Sequence, residues 1–220
     1  MQGPVARAEG GLWGRFCARI RRGQWFRIER RHCAGLDIHG PNGTVSLVAW
    51  IQRQDDCSWQ YIAGIWNHRD NRRQYALYTS GHLKTDHATY ERSPAHHQVH
   101  GFISDVGGPT PGKLACHSYA TGRTFIEKDR WYTVAFSYDG REIRVYVNGV
   151  LDRLPGCNPF PFDRPIYDGG TEGGDFTVAQ RANWAGYPHT ASDKSGFSGL
   201  LAGVAVYRRA LTPQEMAGLQ

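Results

Sequence analysis

Apolar and polar positions alternate with a period of two along most of the chain, the spacing of strands that bury one face. Phe16, Ala18 and Ile20 alternate with Cys17, Arg19 and Arg21, and Trp25-Phe26-Arg27-Ile28 resumes after a break at Gly23. Val45-Ser46-Leu47-Val48-Ala49-Trp50-Ile51 is nearly continuous in apolar residues, as expected of a strand covered on both faces. Two further strands, 61–66 and 74–78, flank the polar turn 67–71, and 99–104 reads as another. Residues 132–138 run into Asp139-Gly140, and 143–147 into Asn148-Gly149. Asp-Gly and Asn-Gly supply the positive φ angles of type I′ turns, which predicts a three-stranded meander with Val134, Phe136, Val145 and Val147 facing the core. Segments 176–179 and 200–207 complete the strands. A helix is predicted only at the end of the chain, where Thr212 is the N-cap, Pro213 takes the first helical position and Glu215 closes a capping box.

About a dozen short strands with no linker between them predict an all-β fold, a two-sheet antiparallel sandwich of jelly-roll type. It is expected to be one domain over residues 1–220, with the basic strands of 1–31 inside the sandwich. Segments 79–98, 152–175 and 182–196 are longer than connections need, and long loops on a rigid sandwich are where binding resides.

Composition supports this reading. The 220 residues are 40% hydrophobic, with 27 glycines, 11 prolines and 2 methionines, which suits strands and turns over a helical bundle. No stretch approaches the roughly 18 apolar residues of a membrane-spanning helix. The net charge of +6 is uneven: residues 1–31 hold eight arginines against Glu9 and Glu29, and the remainder is balanced. Arginines on edge strands discourage sheet-to-sheet pairing, and the same surface could attract an acidic polymer. No RNP, zinc-finger or helix-turn-helix signature is present, which argues against nucleic acid. The five cysteines include no C-x-x-C pair, leaving two disulfides with one thiol, or five thiols. Leu12-Trp13-Gly14 is broken by Arg15 and gives no signal core, so the chain is intracellular or lost its signal before this numbering begins.

Several catalytic motifs fail on chemistry. Gly107-Gly108-Pro109-Thr110-Pro111-Gly112-Lys113 has P-loop spacing, but Leu114 stands where magnesium needs a hydroxyl and two prolines remove amide donors. There is no H-E-x-x-H and no G-x-S-x-G. Glycoside hydrolysis needs two carboxylates about 5 to 10 Å apart, and Glu127-Lys128-Asp129 is the nearest approach to a same-face pair. The histidines are the richer lead: His96, His97 and His100 crowd one segment, with His82, His87 and His117 nearby. Histidine, tyrosine and arginine together suit β-elimination on uronic acids, where arginine neutralises the carboxylate and the others move protons.

Three segments resemble the LamG-like, concanavalin A-like jelly rolls. Residues 44–51 are similar to the family's T-v-s-a-W strand. Trp131 through Gly140, with Arg144-Val145-Tyr146-Val147-Asn148-Gly149, is similar to its W…y-d-G…y-v-n-G hairpin, and Phe197 through Glu215 to its closing Y-n-R-A-L segment. The resemblance covers residue 44 to the end. It implies a concanavalin A-like jelly roll and a lectin-like module that binds a glycan or polysaccharide across the concave sheet and loops, outside the cell or in the periplasm. The expected ligand-binding residues are Trp66, His68, Arg73, Tyr75, His100, Asp105, His117 and Tyr119, which fall on adjacent strands and strand ends near polar loops. The alternatives are a polysaccharide lyase or glycoside hydrolase in the same groove, using His100, His117, Tyr119 and Arg73, or a protein–protein adhesion module. Ala202 and Gly203 replace the family's acidic pair that serves calcium, so any structural calcium would draw on Asp105, Asp168 or Asp175; otherwise no cofactor is expected. The arginines point to an anionic ligand, with binding that weakens as salt rises and strengthens in mild acid as the histidines protonate.

Overall fold

The computed structural model describes residues 4–56, 59–80, 96–181 and 195–220. Among the described residues fourteen strands form two antiparallel sheets. The larger runs β1 (Ala6–Glu9), β2 (Phe16–Ile20), β14 (Gly199–Tyr207), β4 (Val45–Arg53), β9 (Trp131–Tyr138), β10 (Glu142–Val147) and β11 (Val150–Leu151), with β12 (Phe160–Pro161) also paired to β10. The smaller runs β3 (Phe26–Ile28), β13 (Phe176–Val178), β5 (Gln60–Asn67), β6 (Arg72–Thr79), β7 (Val99–Ile103) and β8 (Tyr119–Thr121). Every segment expected to be a strand is one; β1, β8 and β12 are additional to those segments. Most of the expected loops 79–98 and 182–196, with His82, His87 and Cys57, lie outside the described residues.

The core lies between the sheets. Leu47, Ile51, Val134, Phe136, Val145 and Val147 from the larger sheet meet Ile65, Tyr75, Leu77 and Ile103 from the smaller. Gly101 on β7 permits this approach, since a Cβ there would lie 2.5 Å from the Cβ of Phe136. β4 is buried on both faces, with Val45, Leu47, Ala49 and Ile51 in the core and Val48 and Trp50 in a second cluster on the outer side.

The meander forms, with two different turns. At Asn148-Gly149 both residues take left-handed conformations, φ 47° and 69°, the geometry of a type I′ turn. At Asp139-Gly140 only Gly140 is left-handed, and the Asp139 carboxylate accepts hydrogen bonds from the amides of Arg141 and Glu142, at 2.9 and 3.0 Å. That turn is therefore a longer loop held by an aspartate side chain, not a type I′ turn.

The C-terminal helix α1 (Pro213–Ala217) starts with a full capping box. Thr212 Oγ1 accepts from the Glu215 amide at 3.2 Å, and Glu215 Oε2 accepts from the Thr212 amide at 2.8 Å. The arginine-rich strands lie at sheet edges, β1 on the larger and β3 on the smaller. Much of the charge of the N-terminal arginines is met by carboxylates, with Arg15 on Glu9, Arg22 on Asp55, Arg30 on Asp37 and Arg31 on Glu29 at 2.6 to 2.8 Å. Cys17, Cys33 and Cys116 are buried thiols, not disulfides.

Candidate functional site

Two bulges decide which residues reach the outer face of the smaller sheet. Opposite β6, Tyr61 pairs with Tyr78 while Ala63 pairs with Leu77, which makes Ile62 an extra residue on β5. Farther along, Ile65 pairs with Tyr75 while Trp66 pairs with Arg73, which makes Gln74 an extra residue on β6. Each bulge shifts the alternation by one. Tyr61, Trp66, Tyr78 and Arg73 consequently face outward, whereas Ile65, Tyr75 and Leu77 face the core.

On that outer face Trp66, Tyr78, Phe102 and Tyr119 form a cluster of rings, with centroids 5.4 Å apart for Trp66–Phe102 and 4.6 Å for Phe102–Tyr119. Trp59, just before β5, leans over them, with its ring centroid 4.5 Å from that of His100 and 5.9 Å from that of Phe102. The rings surround a cavity of about 270 Å³, near the lower end of small-molecule sites. Its polar wall includes His68, Arg73, Arg181 and Ser195.

Arg73 is the unusual member. It is 2% exposed, and its guanidinium makes a single hydrogen bond, from Nη2 to the His68 carbonyl at 3.2 Å, while Nε and Nη1 have no partner. Its Cζ lies 5.9 Å from the Trp66 ring centroid, within cation–π range. Burial, and to a smaller extent the neighbouring Arg181, push its pKa below the usual arginine value. Cys116 also lines the cavity, its thiol pushed up by burial and 3.2 Å from Ser118 Oγ.

A family model described as the concanavalin A-like lectin/glucanases superfamily (Laminin_G_3) matches residues 35–217. The chain belongs to that superfamily. No curated protein matches it. Among solved structures, a sialidase carbohydrate-binding module of Ruminococcus gnavus, CBM40, bound to α2,3-sialyllactose, is 15% identical over 99% of both chains, with a TM-score of 0.61. Domain 4 of the extracellular arabinanase AbnA of Geobacillus stearothermophilus, in complex with arabinotriose, is 18% identical over 99% of this chain and 82% of its own, TM-score 0.57. The heptameric SAP-like pentraxin of Limulus polyphemus is 15% identical over 90% of this chain and 77% of its own, TM-score 0.57. At such identities these likenesses establish the jelly roll and nothing finer.

The eight expected site residues of this superfamily member do not converge. Trp66, His68, Arg73 and Tyr119 line the ring cavity. Tyr75 does not reach it: the bulge at Gln74 turns it into the core, where its hydroxyl donates to the Leu36 carbonyl at 2.6 Å. His100 lies on the outward face but is fully buried behind Trp59, with Nδ1 3.0 Å from Thr121 Oγ1 and Nε2 without a partner. Burial alone pushes its pKa down to about 3, so it stays neutral in mild acid. His97 is also lowered, first by burial and then by Arg53. The expected gain in binding from protonation near pH 6 therefore has no support from these two histidines.

Asp105 and His117 line a separate cavity of about 620 Å³ with Lys113, Phe160, Asp163 and Arg164. The four residues of the lyase alternative are thus divided, with Arg73 and Tyr119 in one cavity, His117 in the other and His100 behind the rings. Two of the three calcium candidates are engaged by groups of the chain itself. Asp175 accepts from the Arg30 amide at 2.7 Å and lies 3.6 Å from Arg27 Nε. Asp168 accepts from the Gly170 amide at 2.8 Å and lies 3.5 Å from a His39 ring nitrogen. Among the described residues no three acidic, histidine or cysteine side chains gather as a metal site.

Sequence reasoning missed Trp59, Tyr78, Phe102, Arg181 and Ser195 in the ring cavity. Phe102 was within reach, since it lies two residues from His100 on the same strand face. Arg181 and Ser195 carry no comparable signal.

Proposed function

We propose that the chain is a carbohydrate-binding module whose site is the ring-walled cavity on the outer face of the smaller sheet. The observation that carries this reading is the combination of Trp59, Trp66, Phe102 and Tyr119 around an open cavity with a few polar groups at its wall. Aromatic faces stack on the apolar faces of sugar rings, and sparse polar groups fix the hydroxyls. Support also comes from the neighbours of the same fold: the Ruminococcus module and the arabinanase domain are both described with bound oligosaccharides. A cavity of this volume takes one or two sugar units, so it reads a chain end or a branch and not a long run.

The test is a glycan array followed by calorimetric titration of the strongest binder. Binding that Trp66→Ala or Tyr119→Ala weakens about tenfold or more supports the reading, because such a loss is about 1.4 kcal/mol of contact. Binding that neither substitution alters, or an array with no binder, would overturn it.

A further inference from the structure

Arg53 and Arg73 are buried to the same degree, 1% and 2% exposed, and are treated differently by the fold. Arg53 donates from Nε to the Ile126 carbonyl at 3.1 Å, and from Nη1 to the Asp55 carbonyl at 2.7 Å and the Asp56 carboxylate at 3.0 Å. Arg73 has one carbonyl and no carboxylate. A buried cation without a counter-ion is costly, and proteins keep one where function requires it. Arg181 lines the same cavity, and among the described residues no aspartate or glutamate joins the wall.

The geometry points to a carboxylate seat at Arg73: the sugar bound in the ring cavity carries a carboxyl group that supplies the counter-ion the chain withholds. This rests on the carbohydrate-binding reading and names the class of sugar. In a site walled by rings the charge interaction is screened little by water, so one guanidinium can dominate selectivity. A carboxylate is flat and can lie along a ring wall while presenting its oxygens to guanidinium nitrogens. A sulfate ester projects oxygens in several directions, and only part of this wall is polar. Two sources share the required chemistry, a uronic acid and a sialic acid.

The experiment is calorimetric titration of the full chain with matched pairs that differ in the acid: galactose against galacturonate, and lactose against 3′-sialyllactose, with galactose 6-sulfate as a third anion. The expected result is that one acidic sugar binds at least about tenfold more tightly than its neutral partner, and which pair shows it identifies the source. Arg73→Met should erase that preference while leaving the melting temperature equal or higher, because it removes an uncompensated buried charge. Arg73→Lys should keep part of the preference, which guards against misfolding of the methionine variant. Equal affinity for acid and neutral sugars would overturn the carboxylate seat and leave the carbohydrate reading standing. So would a preference that survives Arg73→Met, a sulfate bound as tightly as the carboxylate, or an Arg73→Met protein that melts lower. Failure of every acidic and neutral sugar to bind would overturn both.

Discussion

Both sheets carry aromatic clusters on their outer faces, and the two are completed differently. On the larger sheet Trp50 and Tyr146 are covered by the end of the chain, where Leu211 and Met216 are buried against them. Two polar groups there find partners within the chain: Trp50 Nε1 donates to the Leu219 carbonyl at 2.8 Å, and the Leu211 amide donates to Ser46 Oγ at 2.8 Å. Trp13 packs edge-on against Trp50 from the other side, with centroids 4.3 Å apart. On the smaller sheet the rings leave a cavity, and Arg73 Nε, Arg73 Nη1 and His100 Nε2 have no partner. Rings alone therefore do not mark a site. The covered face is a second core, and the face with an open cavity and unmet hydrogen-bonding groups is the one with something left to bind.

The contrast can be broken most directly by mutation. Trp50→Ala on the covered face is expected to cost about 3–5 kcal/mol of stability and to leave glycan binding intact in the folded fraction. Trp59→Ala on the open face should cost about 1 kcal/mol and remove most of the binding. Denaturant melts paired with titrations check both, and equal stability losses at the two tryptophans would erase the distinction.

Acid sharpens it next. His100 titrates at about 3 in the folded protein, below its ordinary value of about 6.5, so the unfolded chain takes up the proton first. Its contribution is present above pH 6.5 and is lost as pH falls toward 3, at up to about 1.4 kcal/mol per pH unit. His97, also lowered by burial, adds in the same direction. Denaturant melts at successive pH values should show this decline, and His100→Gln should flatten it.

A smaller effect is expected at the capping box. Thr212→Ala should lower stability by about 1 kcal/mol without altering the affinity for sugar, since α1 lies against the other sheet.

Salt gives the smallest change. A buried Arg73 is screened much less than surface arginines, so raising the ionic strength to physiological levels should weaken binding by about twofold or less. A much steeper dependence would place the ligand on the exposed N-terminal arginines instead.

Much of the fold was legible because strands, tight turns and caps are local. The strand of residues 45–51 shows its double burial in its own composition, and Thr212 with Glu215 specifies the helix start within four residues. The site was legible only in part. Of the eight residues grouped for lying on adjacent strands and strand ends near polar loops, Trp66, His68, Arg73 and Tyr119 line one cavity, while Tyr75 points into the core, although simple alternation would put it on the face of Arg73. The bulge at Gln74 reverses that parity, and no glycine or proline in β6 announces it.

What the sequence determined by itself is most of the strands, the turn-linked strands of 132–147 and the closing helix, because hydrophobic alternation and backbone turn preferences act between near neighbours. What only the tertiary structure decided is, among the described residues, which outer face keeps a cavity and which buried arginine has no carboxylate partner. Arg53 and Arg73 each sit at the end of a strand and read alike in the sequence. Arg53 finds the Ile126 carbonyl 73 positions away, while around Arg73 the fold assembles rings, a thiol and a second arginine. Charge compensation depends on what long-range packing brings within a few ångströms, and that information is absent from any local stretch of the chain.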